Sequence, residues 1–380
     1  MGQRRRADPG LVSALKPDDM APFTYTSQPA RVVFGAGALQ HLGREIDLLG
    51  AKRALVLSTP EQADSARRVA ALLGERAAGI FARAKMHVPI ETAREAREEA
   101  RRLGADCAVA IGGGSTVGLG KAIALEAAPG FPILAIPTTY AGSEMTPIYG
   151  LTEGGLKKTG RDPRVLPKTV IYDPELTLTL PLGMTVTSAM NAIAHASEGL
   201  YAPDGNPVLS LMAEEGIRAA AAALPRLAAD PRDIDARSDA LYAAWLCGSV
   251  LGQITMGLHH KLCHTLGGTF NLPHAEVHTV ILPHALAYNA AAAPEAMRRI
   301  ACVLAGRDGG ALSTSAARGV FDLAQGRGAP TALRDIGMPV DGLDRAADLA
   351  VQTPYPNPRP LERAAIRELL RHAFDGTRPD

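Results

Sequence analysis

The densest run of chemistry-bearing side chains in this sequence is Gly257-Leu-His-His-Lys-Leu-Cys-His-Thr-Leu-Gly-Gly-Thr-Phe-Asn-Leu-Pro-His274. It carries His259, His260, His264 and His274, four of the chain's ten histidines, and His278 follows closely. An imidazole exchanges protons near neutral pH and is also a ready metal ligand. His260 and His264 stand four apart and so share one face of a helix. Gly267, Gly268 and Pro273 make a continuous helix to His274 unfavourable, so the chain is expected to turn and bring His274 back from another direction. Upstream, Asn191 and His195 form a second polar pair at helical spacing. The expected site is lined by Asn191, His195, His260 and His274, with His264 and Lys261 beside it. Any one of these histidines reads as an ordinary packed or surface residue. The set does not, because a mostly apolar helical half has little reason to bury so many imidazoles.

A second kind of chemistry is carried by glycines. The apolar run Cys107-Ala-Val-Ala-Ile111 leads directly into Gly112-Gly-Gly-Ser-Thr-Val-Gly-Leu-Gly-Lys121. Glycines let backbone N–H groups approach an anion closely, and a following helix adds its positive dipole end. Gly112, Gly113, Gly114 and Ser115 are therefore candidates to hold a nucleotide pyrophosphate. The run matches neither the G-x-G-x-x-G nor the Walker pattern. After the next apolar run, Pro137-Thr-Thr-Tyr-Ala-Gly-Ser-Glu144 offers a hydroxyl-rich turn, with Thr138 and Thr139 facing the same edge.

These residues need elements to position them. Arg31–Phe34, Arg53–Leu57, Gly79–Ala82, Cys107–Ile111, Pro132–Ile136 and Thr169–Tyr172 are short apolar runs that read as strands. Helical patterns over Ala38–Leu49, 62–74 and Glu91–Leu103 alternate with the earlier ones, which predicts a parallel sheet covered on both faces. Beyond about Leu180, Ala, Leu, Met and Glu dominate. Val186–Leu200, Val208–Ala229, Ile234–Leu258, Pro294–Leu304, Ser313–Gln325 and Leu361–Ala373 all read as helices, with Pro294 and Ser313 suited to helix starts. The expected organisation is a mobile extension over 1–21, an α/β dinucleotide-binding domain over 22–180 and an all-helical domain over 181–380. Thr353-Pro-Tyr-Pro-Asn-Pro-Arg-Pro360 reads as a stiff extended lead-in to the last helix.

Composition excludes several classes. The 380 residues suffice for two full-sized cores, and a net charge of +1 gives no case for nucleic acid or an anionic membrane surface. Cys107, Cys247, Cys263 and Cys302 are widely spaced, which fits a reducing cytosol. No apolar run approaches the length of a membrane span, and the Arg-rich N-terminus lacks a signal-peptide core.

Gly112-Gly-Gly-Ser115, Pro137-Thr-Thr139 with Gly142-Ser-Glu144, Asn191-x3-His195 and His260-x13-His274 together resemble the iron-containing alcohol dehydrogenase superfamily. Within it, Leu258–His264, Thr138–Thr146, Gly150-Leu-Thr-Glu-Gly154 and Asn357-Pro-Arg-Pro360 are similar to signatures of the maleylacetate reductases. The resemblance spans about residues 22–378. It implies NADH or NADPH bound between the two domains, a small dicarboxylate substrate, and a cytoplasmic homodimer. The implied reaction is reduction of the carbon–carbon double bond of 2-maleylacetate to 3-oxoadipate, in aromatic compound degradation. A metal-dependent alcohol dehydrogenase acting on a small carbonyl compound is the alternative. Metal-dependent members carry Asp where this chain has Asn191, and many relatives have Asp where Gly118 stands. An amide among imidazoles lacks a carboxylate's charge, so a metal is not expected to be required. Ser58, ending the second strand, stands where an acidic residue often marks NAD preference, leaving room for a 2′-phosphate.

Overall fold

A computed structural model describes residues 23–27, 30–127, 130–154, 156–305 and 315–380. The expected extension over 1–21 and the helix start at Ser313 lie outside them. The first half alternates β1 (Arg31–Phe34), α1 (Leu42–Leu48), β2 (Ala54–Leu57), α2 (Ala63–Leu73), β3 (Ala77–Phe81), α3 (Ile90–Arg102), β4 (Cys107–Gly112), α4 (Gly114–Glu126) and β5 (Ile133–Pro137). A hairpin, β6 (Ile148–Glu153) and β7 (Leu156–Arg161), precedes the last sheet strand, β8 (Thr169–Tyr172). The main sheet has the order β1-β8-β5-β4-β2-β3, and all its pairings are parallel. Its central strands are apolar on both faces because helices cover both. One face packs Ile46, Val69, Val109 and Ile136 together, beneath α1 and α2. On the other, Leu55, Leu57, Ala96 and Leu119 pack beneath α3 and α4.

The chain leaves β2 toward β3 on one side and β4 toward β5 on the other. Neighbouring β2 and β4 thus flank the switch point where open α/β sheets bind ligands.

After β8 the described residues contain only helices: α5 (Leu182–Gly199), α6 (Pro207–Ala229), α7 (Ile234–Leu251), α8 (Leu258–Phe270), α9 (His274–Asn289), α10 (Pro294–Leu304), α11 (Ala316–Gln325), α12 (Gly342–Gln352) and α13 (Arg363–Asp375). This is the α/β-plus-helical architecture expected. One core joins Val170 and Tyr172 of the sheet to Met190 and Ile193 of α5, so the two halves share apolar packing. A separate core gathers α8, α9, α12 and α13 around Leu262, Ile281, Ala346 and Leu370.

Candidate active site

The glycine run forms the tight turn from β4 into α4. Gly112 ends β4 with φ +150°, Gly113 is the extended residue preceding α4, and Gly114 opens the helix. A Cβ on Gly112 would meet Thr116 Oγ1 at 2.4 Å and Gln62 Oε1 at 2.7 Å, so only glycine fits. Ser115 lies half-buried in the first turn of α4. Thr138 N donates to Gly112 O at 3.1 Å, and Gln62 Nε2 donates to Thr138 Oγ1 at 2.8 Å. The loops after β2, β4 and β5 therefore meet at the switch point, with the half-buried Thr139 against Gly113. Ser58 differs from the expectation. It is fully buried and its hydroxyl donates to Thr59 O at 3.0 Å, so it shapes the turn rather than facing a ribose.

Lys121, at the end of the glycine-rich run, turns its ammonium onto the protein's own backbone. Its buried ammonium donates to the carbonyls of Ser143, Thr146 and Ile148 at 2.7, 2.8 and 2.7 Å. That ties α4 to the turn following β5. Burial pulls its pKa down to about 7, against the opposing pull of Glu144. Burial likewise raises the Glu144 carboxyl, which accepts from Tyr172 Oη at 2.8 Å.

The histidines assemble across three helices. His195 on α5 places Nδ1 2.8 Å from Nε2 of His260 on α8, and its own Nε2 lies 3.2 Å from Ala141 O. His264 stacks near His274 at 6.5 Å between ring centroids, and His274 lies 4.4 Å from His278. His264 and His274 are half-buried, whereas His195 and His260 are buried. Burial, and then neighbouring imidazoles, hold His195, His259 and His278 well below the usual histidine range. Asn191 is buried one turn before His195, its amide oxygen without a hydrogen-bond partner. Lys261 stands apart from the cluster. It is exposed, its ammonium 6.0 Å from the Tyr355 ring, because one helical step turns it about 100° from His260.

The expected turn before His274 is present, but α8 runs through Gly267 and Gly268 to Phe270. It ends where Asn271 takes a left-handed conformation, φ +53°. Sequence reasoning also passed over Glu198, one turn beyond His195 on α5. Its buried carboxylate accepts from His260 Nδ1 at 2.7 Å, Gly257 N at 3.0 Å and His259 N at 2.9 Å. The i, i+3 spacing of His195 and Glu198 was the available signal. A second omission is Arg237, fully buried with Tyr140 Oη, Thr185 Oγ1, Leu180 O and Pro231 O as neutral acceptors.

Comparison with known proteins agrees with this architecture. Residues 29–174 match the family model for iron-containing alcohol dehydrogenase, and 185–374 match that for the C-terminal part of the same family. A maleylacetate reductase of Burkholderia cepacia is 70% identical over 95% of this chain and 100% of its own. The solved structure of maleylacetate reductase from Agrobacterium tumefaciens superposes with a TM-score of 0.89 at 53% identity, covering 95% of this chain and 100% of that one. A 1,3-propanediol oxidoreductase structure gives 0.85 at 29% identity over 93% and 100%.

The family name implies iron. Of the residues at the expected position, Asn191 brings a neutral amide oxygen where a carboxylate would balance the ion's charge, so the set fits iron poorly. Among the described residues, the one trio of His, Cys or acidic side chains with ligand atoms within 4.8 Å of one another is His259, Cys263 and His278. His195 and His260 are hydrogen-bonded to each other, and the neighbouring Glu198 carboxylate is engaged by Gly257, His259 and His260. The remaining donor, Asn191, is neutral. Both matched models and the shared fold nonetheless agree: the chain belongs to the iron-containing alcohol dehydrogenase family.

Proposed function

We propose that this chain is a maleylacetate reductase, carrying hydride from NADH or NADPH to the double bond of 2-maleylacetate and giving 3-oxoadipate. The observation that carries this is the 70% identity to a maleylacetate reductase along that relative's whole length. The nucleotide pyrophosphate lies on Gly112, Gly113, Gly114 and Ser115, with Thr138 and Thr139 beside it. Hydride adds to the alkene carbon β to the ketone, and negative charge builds on the ketone oxygen as an enolate. The hydrogen shared between His195 Nδ1 and His260 Nε2, 2.8 Å apart, is the N–H donor available to that oxygen. His264 or His274, both half-buried at the edge of the cluster, protonates the neighbouring carbon. Lys261 binds a substrate carboxylate. It is exposed one residue beyond His260, and among the described residues it has no acidic partner. Arg161 is less suited, since it donates to the carbonyls of Gly252 and Ile254.

The reaction needs no iron in this reading, because the Asn191, His195, His260 and His274 set has no carboxylate to compensate a cation. We place the enzyme in the cytoplasm as a homodimer serving aromatic compound degradation. Among the described residues no helix is long and apolar enough to cross a membrane. The test is the absorbance of reduced nicotinamide on adding fresh maleylacetate. A fall with NADH or NADPH is expected, unaffected by chelation. Flat absorbance with both cofactors would overturn the substrate assignment. Loss on chelation, restored by Fe²⁺, would overturn the metal-free one.

A further inference from the structure

Glu198 is buried among neutral groups, and the chemistry above leaves it without a task. Its carboxylate is compensated by the N-terminus of α8, through the N–H groups of Gly257 and His259, and by His260. A carboxylate can only accept, so the 2.7 Å contact places a proton on His260 Nδ1. The ring's other nitrogen, Nε2, stands 2.8 Å from His195 Nδ1, so one hydrogen bridges the two rings. One side chain on α5 therefore orients a ring on another helix, while fixing where α8 begins.

From this geometry we infer that Glu198 is a positioning residue for the reduction. It keeps a proton on His260 Nδ1 and so turns His260 Nε2 toward His195 Nδ1. The assignment rests on the reading of these histidines as the groups that meet the developing enolate. Outer partners that orient a reactive imidazole typically contribute about 10–100-fold in activity. The same carboxylate also explains why α8 can start at a glycine: Gly257 has no side chain to cap the helix, and Glu198 reaches in from α5 to do so.

Two measurements test this. Long-range ¹H–¹⁵N correlation spectra of histidine-labelled wild-type enzyme should show His260 protonated at Nδ1. Finding the Nε2–H tautomer there overturns the assignment, whatever substrate the enzyme turns over. That readout separates failure of this inference from failure of the reductase reading. Glu198→Gln removes the charge and sets an amide N–H against one of the three donors. It should lower kcat per folded chain about 10–100-fold, leave the nicotinamide KM unchanged, and populate the other tautomer. Wild-type kcat in this variant, or a loss that only tracks the folded fraction, overturns the proposal. If the variant does not fold, the wild-type spectrum alone decides.

Discussion

At the scale of single residues, the phosphate loop gives the sharpest expectation. A Cβ on Gly113 would stand 3.0 Å from Thr139 Cγ2 and 3.1 Å from Thr139 Oγ1, forcing apart the two turns proposed to hold the pyrophosphate. Gly113→Val should therefore raise the nicotinamide KM strongly while the protein still folds, since Gly113 itself is half-buried at a loop. Cofactor titration by fluorescence, with circular dichroism as the folding control, checks this. Unchanged affinity would make the loop purely structural. Gly113 and the histidines were legible in the sequence because their chemistry is written in residue type and local spacing. Glu198 was signalled only by its i, i+3 spacing from His195, because an acid inside a helix otherwise looks like any solvated side chain. What distinguishes it is a partner 62 positions away, which no local pattern encodes. The acceptors of Lys121 are likewise out of local reach, being carbonyls 22 to 27 residues downstream.

At the scale of elements, the cleft depends on how closely the turn after β5 approaches α7. Gly142 has φ +75°, and a Cβ there would lie 2.9 Å from Gly248 Cα; one on Gly248 would lie 2.6 Å from Gly142 O. The same turn places Ala141 O against His195. Gly142→Val combines left-handed strain with backbone overpacking and should cost about 2–3 kcal/mol. Gly248→Ala opens the same contact, so the double variant should lose less than the sum of the two. Denaturant midpoints with an unchanged slope would show it, whereas full additivity would refute the shared contact. Apolar periodicity located the main-sheet strands to within about two residues because they are buried on both faces. The β6–β7 hairpin escaped, since β6 is only half-buried and lacks clear apolar alternation. So did α12, whose buried face is mostly alanine, at Ala346, Ala347 and Ala350.

At the scale of the whole molecule, the buried imidazoles set how stability depends on pH. His195, His259 and His278 are all held well below the ordinary histidine pKa by burial, and burial brings His284 down to about 4. In each case the unfolded chain takes up the proton first, near pH 6.5, while the folded chain resists it. The unfolded state then binds more protons, so stability falls as pH drops below 6.5 and is unaffected by these groups well above it. For His284 the window runs from 6.5 to about 4, and the loss across it is on the order of 3 kcal/mol. Lys121 has the same sign at higher pH, its pKa lowered from 10.5 to about 7, so it adds stability as pH rises through that range. His284 is the clean probe, because it lies outside the histidine cluster and its Nε2 has no partner to lose. His284→Leu should match wild type at pH 7.5 and be the more stable protein at pH 5. Thermal midpoints of the pair across pH 4.5 to 8 test this. Parallel curves would mean that His284 does not titrate on unfolding, and that the acid sensitivity of the fold lies elsewhere.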